Sequence, residues 1–536
     1  MKQLVLAVGL LLTMLPGGAP VRAQAAKPKL VVFIVADQMR ADYLVRYGPL
    51  LDHGLKRLMT QGAWYKNAAY PYLTTLTCVG HTTIGTGTLP YKHGMISNTW
   101  WDRETGKVVT CNSDPDTTDV SYGTITGTGD SAKRMMVPTL AEVMTGTLHS
   151  RVATMSMKAR SAIGLAGHAG DFVTWFGDRA AWETSSAFTK GPVPWFVNFL
   201  KANPPDGDAG KTWERTLPAD KYQYDDDGPG ERGSGGWGAK FPHPLGEPGD
   251  AGYYAHWMQS PYLDAYLEKM AEAAVDKMDL GTEDRTDFLG VSFSSLDLVG
   301  HAYGPRSHEV QDMLVRLDLT LGKLLDHLDK KVGAGNYVIA MSSDHGVADL
   351  PEQNPGGGRQ AATALRAAIN VVMKPVIGGD GEYVAAVSGN DIYFKPGVYD
   401  RLKADAATLG EVKKVLGSLS GVARVLTTDE MSSPASRMST DALLRAAALS
   451  YYPARSGDMA VILKENWILV AGGTTHGSPY EYDQRVPVIL YGPGIRSGPR
   501  EEAATPADLA VTIASLVGVK LPSPDGHVLT GALQPK

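Results

Sequence analysis

Residues Leu30–Ala36 read Leu-Val-Val-Phe-Ile-Val-Ala, and Asp37 follows them directly. A continuous apolar run that is rich in β-branched residues is typical of a strand buried on both faces, as the strands of parallel sheets are. Similar runs recur along the chain at Val152–Met157, Phe288–Phe293, Tyr337–Met341 and Val486–Tyr491. The pattern therefore predicts a sheet of several parallel strands.

Helical patterns alternate with these runs, around Leu50–Met59, Val310–Leu328 and Ala507–Val517. Strands that alternate with helices favour an α/β fold, in which a mostly parallel central sheet is covered by helices on both faces. The chain has 536 residues, which is enough for one large α/β core with insertions.

Two stretches interrupt the alternation. Residues 180–260 are rich in Gly, Pro, Asp and Trp, and residues 350–470 are weakly patterned. We interpret both as cap insertions over the rim of the sheet within one catalytic domain, residues 26–536. The formal net charge of -6 leaves no excess of basic residues to favour nucleic-acid binding.

The N-terminus has the pattern of a signal peptide, residues 1–25. Lys2 supplies a positive charge, Leu4–Leu15 is a short apolar run, and Ala23-Gln24-Ala25 fits the small-x-small cleavage pattern. An uncleaved anchor is the alternative. Since no second apolar run has membrane length, we expect a periplasmic or secreted protein without a membrane span after cleavage.

Polar residues that suit metal binding follow the predicted strands. They are three carboxylates and three imidazoles, at Asp37, Asp297, His301, Asp344, His345 and His476. Ligands of open α/β sheets collect beyond the carboxyl ends of the strands, so these side chains are expected at one rim. Taken singly, each has an ordinary structural interpretation. Together, His nitrogens and carboxylate oxygens suit two adjacent Zn²⁺ ions, which can clamp the attacking and leaving oxygens of a displacement.

A hydroxyl-rich segment, Leu76–Gly87, offers candidates for a nucleophile. Spacing alone does not choose among Thr74, Thr75, Thr77, Thr82 and Thr83. Thr77 stands where an apolar helix could begin, and a helix N-terminus favours a phosphate group. Simple capping of the helix is the alternative role for Thr77.

Two further features stay open. Cys78 and Cys111 could pair in an oxidising compartment or remain buried thiols. A structural calcium ion is a further candidate near Asp225–Asp227 or near Asp114, Asp116 and Asp119, although such acidic turns are usually solvated loops.

Eight segments of the chain resemble, in the same order, those of a known family. The resemblance covers nearly the whole mature sequence, and it is carried by the ordered segments Val35–Leu44, Thr77–His81, Asn98–Asp102, Ser156–Arg160, Asp297–His301, Ser343–Gly346, Tyr452–Asp458 and His476–Ser478. They are similar to the alkaline phosphatase superfamily, and more narrowly to PafA-type zinc alkaline phosphatases, relatives of the type I phosphodiesterases and nucleotide pyrophosphatases. The fold that it implies is an alkaline-phosphatase-like three-layer sandwich.

The resemblance implies a role for each matched residue. One zinc ion, which activates the nucleophile, would be held by Asp37, Thr77, Asp344 and His345. The other, at the leaving-group oxygen, would be held by Asp297, His301 and His476. Thr77 would be the nucleophile of an alkaline phosphatase that forms a phosphothreonine intermediate. Phosphoryl oxygens would bind to Asn98, Lys158 and Arg160, whereas His81 and His93 are expected to be structural.

The Lys158/Arg160 pair indicates the substrate class. We expect the two residues to alternate along a strand end, so that both side chains face the same side. Two cations favour a dianionic phosphate monoester over a phosphate diester, which has fewer free oxygens and less charge. A phosphodiesterase or nucleotide pyrophosphatase on the same fold is the alternative, and a phosphate-binding protein without turnover is the non-enzymatic one. We expect a monomer that acts on small-molecule monoesters.

Overall fold

The computed structural model describes residues 27–122, 124–177, 180–233, 235–250, 252–379 and 381–535. The predicted signal peptide lies outside the described residues. In chain order the strands are β1 Leu30–Ala36, β2 Ala63–Ala68, β3 Thr99–Asp102, β4 Lys107–Thr110, β5 Ser113–Ser121, β6 Thr124–Asp130, β7 Val152–Ser156, β8 Phe172–Gly177, β9 Ala181–Ser185, β10 Thr212–Trp213, β11 His243–Pro244, β12 Asp287–Phe293, β13 Tyr337–Ser342, β14 Gly358–Arg359, β15 Val384–Ser388, β16 Asp391–Phe394, β17 Val422–Thr427, β18 Met459–Leu463, β19 Trp467–Ile468, β20 Val488–Tyr491 and β21 Gly498–Ala504.

The α-helices are α1 Tyr43–Arg46, α2 Gly54–Gln61, α3 Thr77–Thr86, α4 Pro90–His93, α5 Leu140–Leu148, α6 Ala159–Ala166, α7 Pro194–Ala202, α8 Tyr253–Met258, α9 Pro261–Lys277, α10 Ser295–Tyr303, α11 His308–Leu328, α12 Ala362–Ile377, α13 Val398–Ala404, α14 Ala406–Gly417, α15 Thr428–Ser432, α16 Ala442–Ser450, α17 Glu481–Gln484 and α18 Ala507–Val517. The three predicted helices correspond to α2, α11 and α18.

The main sheet contains eleven of these strands in the order β21-β2-β20-β13-β1-β12-β7-β8-β9-β5-β6. Its central strands β13, β1, β12, β7 and β8 are parallel to their neighbours in this group. Alternate residues of β1 point into two different hydrophobic clusters, with Val32 and Ile34 on one face and Val31 and Phe33 on the other. Helices α9 and α11 pack on the first face, and α5 and α18 on the second. The predicted α/β fold with helices on both faces is confirmed.

The sheet differs from the prediction at its edges. The run Val486–Tyr491 contains β20, which is antiparallel to both β13 and β2. β9, β5 and β6 also add antiparallel pairs at the opposite edge. An apolar run reports burial on both faces of a strand, and it carries no information about strand direction. The parallel prediction for this run was therefore wrong, while the five central strands follow it.

A second, smaller sheet lies within residues 350–470. Its strands have the antiparallel order β15-β16-β18-β17, and α12, α13 and α14 pack on it around a separate hydrophobic cluster. The hairpin turn of β15 and β16 contacts the main body, since Ser388 Oγ donates to Thr99 O at 2.7 Å and Asn390 Nδ2 donates to Gly477 O at 2.7 Å. The interpretation of this region, and of residues 180–260, as cap insertions stays a prediction.

Cys78 and Cys111 form a disulfide, which settles one question that the sequence left open. Across the described ranges, no helix is both long enough and apolar enough to cross a membrane.

Candidate metal and phosphoryl-transfer site

The three predicted carboxylates meet at the carboxyl edge of the central parallel strands. Asp37 follows β1, Asp344 follows β13, and Asp297 is the third residue of α10 directly after β12. All three side chains are buried. Parallel register brings them together, because Ala36 pairs with Phe293 and Val35 pairs with Ser342.

The three predicted imidazoles share one hydrogen-bonding pattern. Nδ1 of His301 donates to Thr474 O at 2.7 Å, Nδ1 of His345 to Gly346 O at 2.9 Å, and Nδ1 of His476 to Thr75 O at 2.8 Å. A carbonyl accepts only, so each Nδ1 carries a proton, and in the neutral ring Nε2 keeps its lone pair. Histidines that bind metals are commonly oriented in this way.

The lone pairs face the carboxylates in two groups. In the first, Asp297 Oδ1 lies 3.3 Å from His301 Nε2 and 3.7 Å from His476 Nε2. The second contains Asp37, Asp297 and His345, and in each group one ligand atom per residue lies within 4.8 Å of the others. Asp297 therefore belongs to both groups.

The remaining predicted zinc ligands adjoin the second group. His345 Nε2 lies 3.3 Å from Thr77 Oγ1 and also 3.3 Å from Asp344 Oδ2. Asp37 Oδ1 and Asp344 Oδ2 are buried and have no hydrogen-bond partner among the described residues. Buried carboxylate oxygens without partners are costly in free energy, and metal cations would compensate them. The donor set, three Nε2 atoms with carboxylate and hydroxyl oxygens, fits zinc.

The electrostatics divide the ligand set: the pKa values of Asp297, His345 and His476 are lowered, whereas those of Asp37 and His301 are raised. Burial would lower the pKa of His301, but the Asp297 carboxylate outweighs burial. Burial would raise the pKa of Asp297, but the Lys158 ammonium and the His301 imidazole hold it well below its usual range. Burial lowers the pKa of His345 and of His476, so both rings are neutral. Burial and the neighbouring Asp344 raise the pKa of Asp37, as expected for carboxylates that crowd together without a metal cation.

Thr77 is the first residue of α3, and the helix is buried along its whole length. This position at the helix start was predicted. Of the hydroxyls in the segment, the Thr82 and Thr83 side chains donate to carbonyls one turn earlier in α3. Thr77 instead contacts His345. It lies at the N-terminal end of α3, where free N–H groups and the helix dipole favour an anion.

Lys158 and Arg160 do not alternate along a strand, which corrects the prediction. β7 ends at Ser156, Lys158 is the N-cap residue of α6, and Arg160 is the second residue of that helix. Side chains alternate between two faces only along a strand, and the strand has ended before either residue. The two cations nevertheless both stand at the start of α6, directly beyond the end of β7.

Lys158 lies between the two candidate metal groups. Its Nζ is 2.6 Å from Asp37 Oδ2 and 2.6 Å from Asp297 Oδ2. Burial would lower the pKa of Lys158, but the two carboxylates outweigh burial and raise it, so the ammonium stays charged. The buried Arg160 Nε has no hydrogen-bond partner in the described part of the chain.

Asn98 adjoins the start of α3. Its Oδ1 accepts from the Cys78 N–H at 2.8 Å, which leaves the side-chain NH₂ to donate elsewhere. Asn98 and His476 both line a cavity of about 320 Å³ that opens beside the site. The structure thus brings the seven predicted metal ligands, Lys158 and Asn98 to one rim, with Arg160 in the first turn of α6 close to Lys158 in the sequence, while their individual roles stay predictions.

The sequence did not single out Gln38, and it predicted a structural role for His81. Gln38 Nε2 donates to Asp297 Oδ1 at 2.6 Å, and the Gln38 N–H donates to Asp344 Oδ1 at 3.1 Å. His81 Nδ1 lies 2.9 Å from Thr77 O and 3.2 Å from Asp344 Oδ2. Only the proximity of Gln38 to Asp37 in the sequence could have indicated the first.

Other acidic and imidazole groups have protein partners. His93 Nδ1 accepts from the Met95 N–H, and its Nε2 contacts Thr83 Oγ1 at 3.1 Å. In the two acidic stretches considered for calcium, Asp226 pairs with Arg215 and Asp114 pairs with Lys133. Neither stretch forms a group of three metal ligands within the ranges that the structure describes.

Known proteins resemble this chain in sequence and in fold. A family model described as type I phosphodiesterase / nucleotide pyrophosphatase matches residues 31–484. The chain is 32% identical to the alkaline phosphatase PafA of Elizabethkingia meningoseptica over 94% of each chain. It is 30% identical to the alkaline phosphatase PhoV of Synechococcus elongatus, covering 95% of this chain and 94% of the relative. The crystal structure of wild-type PafA superposes with a TM-score of 0.88 at 31% identity, over 95% of this chain and 100% of that one.

Proposed function

We propose that this chain, which belongs to the type I phosphodiesterase / nucleotide pyrophosphatase family, is an alkaline phosphatase that hydrolyses phosphate monoesters through a phosphorylated Thr77. The observation that carries the proposal is the position of Thr77. Its Oγ1 lies at the N-terminus of a buried helix and 3.3 Å from His345 Nε2, among carboxylates that need cations. Relatives named alkaline phosphatases, 30% or more identical over nearly the whole chain, support the monoester substrate class.

Two zinc ions fit the ligand set. One would be held by Asp37, Thr77, Asp344 and His345, and the other by Asp297, His301 and His476. When bound, they would supply Lewis acidity that stabilises the Thr77 alkoxide and the departing oxygen. The orphaned oxygens of Asp37 and Asp344, together with three imidazoles whose Nε2 atoms face them, support this assignment.

Thr77 would carry the phosphoryl group in two displacements. In the first, Thr77 Oγ1 attacks phosphorus, the bond from phosphorus to the ester oxygen breaks, and the alcohol leaves with a proton. In the second, a water oxygen attacks the phosphothreonine, the bond from phosphorus to Thr77 Oγ1 breaks, and inorganic phosphate leaves. A free threonine hydroxyl is a weak nucleophile, so its contacts at the helix start matter for the first step.

Asn98, Lys158 and Arg160 would hold the phosphoryl oxygens. Lys158 carries a charge at the centre of the site, where it already spans Asp37 and Asp297. The buried Arg160 Nε has no hydrogen-bond partner among the described residues, and the Asn98 amide, held through its Oδ1 by the N–H of Cys78, keeps its NH₂ group as a donor. Phosphoryl transfer depends mainly on such positioning and charge neutralisation. Two cations suit the dianionic monoester, so diester hydrolysis is the less favoured activity.

The cellular location follows from two features. The sequence pattern of residues 1–25 and the disulfide between Cys78 and Cys111 both support a periplasmic or secreted enzyme, because disulfides persist in oxidising compartments. We further propose that residues 26–536 form one catalytic domain with cap insertions.

The proposed function is tested by comparing kcat/KM for an aryl phosphate monoester and the matched methyl aryl phosphate diester. The zinc-loaded protein should prefer the monoester by orders of magnitude. A preference for the diester would replace the proposal with phosphodiesterase activity, and stoichiometric phosphate binding without turnover would replace it with a binding protein.

A further inference from the structure

The disulfide joins two elements that carry proposed phosphoryl contacts. Cys78 is the second residue of α3, directly after Thr77. Cys111 directly follows β4, and Asn98 directly precedes β3, so the two residues form the base of the β3–β4 hairpin. The covalent bond therefore ties the hairpin base to the first turn of the nucleophile helix.

Hydrogen bonds from both cysteines hold Asn98. The Cys78 N–H donates to Asn98 Oδ1 at 2.8 Å, and the Cys111 N–H donates to Asn98 O at 3.0 Å. The N–H of Cys78 is one of the donors at the start of α3 that have no partner within the helix, and the N-cap residue, Leu76, provides no capping side chain. With the sulfur–sulfur bond, these contacts close a ring that fixes both the backbone and the side chain of Asn98.

The same disulfide packs against the third element of the site. Cys78 and Cys111 are 3% and 0% exposed and share a hydrophobic cluster with Ala162 and Ile163 of α6. Arg160 is in the first turn of that helix. The sulfur atoms thus lie where α3, the hairpin base and α6 meet.

We propose that the Cys78–Cys111 disulfide is a positioning element for phosphoryl transfer, which acts by orienting the Asn98 amide toward the phosphoryl group at Thr77. The inference rests on the proposed role of Asn98 as a phosphoryl contact. Because Oδ1 of Asn98 accepts from the Cys78 N–H, the side-chain NH₂ group of Asn98 is the part that remains to donate to a phosphoryl oxygen. Misplacement of a catalytic contact by about 1 Å costs on the order of 100-fold in rate. Full activity is thereby coupled to an oxidising compartment.

A double-mutant cycle tests this coupling. The variants are Cys78→Ala/Cys111→Ala, Asn98→Ala and the triple combination, all zinc-loaded, with kcat/KM measured on an aryl phosphate monoester. Loss of the disulfide should reduce kcat/KM roughly tenfold when Asn98 is present and less than about twofold when Asn98 is replaced, because coupled residues are not additive. Val173→Ala, in the same cluster on β8, serves as the control for lost packing and should show no such coupling.

The outcomes separate the two proposals. An equal loss in both backgrounds, or no loss in either, overturns the positioning role and leaves the disulfide as a stabilising crosslink. Poor monoesterase activity of the wild-type protein instead contradicts the proposed function, whereas an Asn98→Ala variant that is as active as wild type removes the phosphoryl contact on which the positioning role rests. If the alanine pair does not fold, Cys78→Ser/Cys111→Ser takes its place in the same cycle, with melting temperature and zinc content recorded for every variant.

Discussion

The Lys158 ammonium and the Asp297 carboxylate are 2.6 Å apart at the centre of the site, and Asp37 lies at the same distance on the other side of the ammonium. Asp297 belongs to both candidate metal groups. Lys158 therefore contacts carboxylates of both groups, and we propose it as the central cation for a dianionic phosphoryl group.

The first prediction concerns selectivity. Lys158→Ala/Arg160→Ala should decrease kcat/KM for an aryl phosphate monoester far more than for the matched diester, which presents fewer charged oxygens. Losing one donor to the transition state typically costs on the order of 10²–10³ in rate. The ratio of the two kcat/KM values should thus fall by orders of magnitude. An unchanged ratio at intact zinc content would remove the reason for assigning monoester selectivity to these cations.

The second prediction concerns the metal. Chelation should abolish turnover, and zinc should restore it better than magnesium, because imidazole nitrogens are poor magnesium ligands. The measurement is monoesterase activity after exhaustive dialysis against chelator and readdition of each ion, with metal content determined in parallel. Full activity of the metal-free protein, or equal restoration by magnesium, would contradict the zinc assignment.

The third prediction concerns Gln38, which the sequence did not single out. Gln38→Glu preserves the size of the side chain but replaces the NH₂ donor to Asp297 with a further negative charge. Loss of a partner that orients a metal ligand typically costs roughly 10- to 100-fold in metal affinity. We expect zinc affinity, measured by competition with a chelator, to fall by this factor in Gln38→Ala, where the donor is lost without added charge. Comparison of Gln38→Glu with Gln38→Ala then isolates the effect of the added negative charge. Wild-type affinity in Gln38→Ala would exclude an orienting role.

The fourth prediction concerns pH and stability. Burial raises the pKa of Asp264 to about 7, although the hydrogen bonds that Asp264 accepts from Ser295 act to lower it. An unfolded Asp titrates near about 3.9, so between these values the folded chain binds more protons than the unfolded chain. The contribution of Asp264 to stability is complete below the lower value and declines as pH rises to about 7.

The unfolding free energy of the wild type should therefore decrease with rising pH between about pH 4 and 7. In Asp264→Asn this decrease should be smaller, by on the order of 1 kcal/mol per pH unit. Denaturant unfolding at several pH values measures this slope. Glu104→Gln, at an exposed site, is the control and should leave the slope of the wild type. Parallel slopes for Asp264→Asn and wild type would show that Asp264 does not titrate in this range.

Two kinds of feature could be predicted from the sequence: the buried strands, which recur as apolar runs, and the polar residues that directly follow them. The run Leu30–Ala36 identified the central sheet, and Asp37, Asp297 and Asp344 were found because each follows a buried strand. The resemblance to a known family added the roles. The apolar runs alone are enough to bring the three carboxylates together, since parallel strands place their carboxyl ends at one edge of the sheet.

Contacts that depend on three-dimensional packing were beyond the sequence. Gln38 contacts Asp297, which is 259 residues away, and it adopts a positive φ of 69° that no local pattern indicates. The direction of β20 depends on its neighbours, and an apolar run is the same in either direction. Lys158 and Arg160 were placed on a strand because an apolar run does not reveal that α6 begins two residues after Met157.

Thr77 as the carrier of the phosphoryl group is the central claim, and mass spectrometry of acid-quenched enzyme tests it most directly. The protein is mixed with excess monoester, quenched in acid during turnover, digested and compared with Thr77→Ala. We expect phosphate on Thr77 of the wild-type peptide and none in the variant, while Thr77→Ser should keep a phosphorylated hydroxyl. Phosphate on Thr75 or Thr82, or continuous turnover without any phosphorylated peptide, would contradict the account.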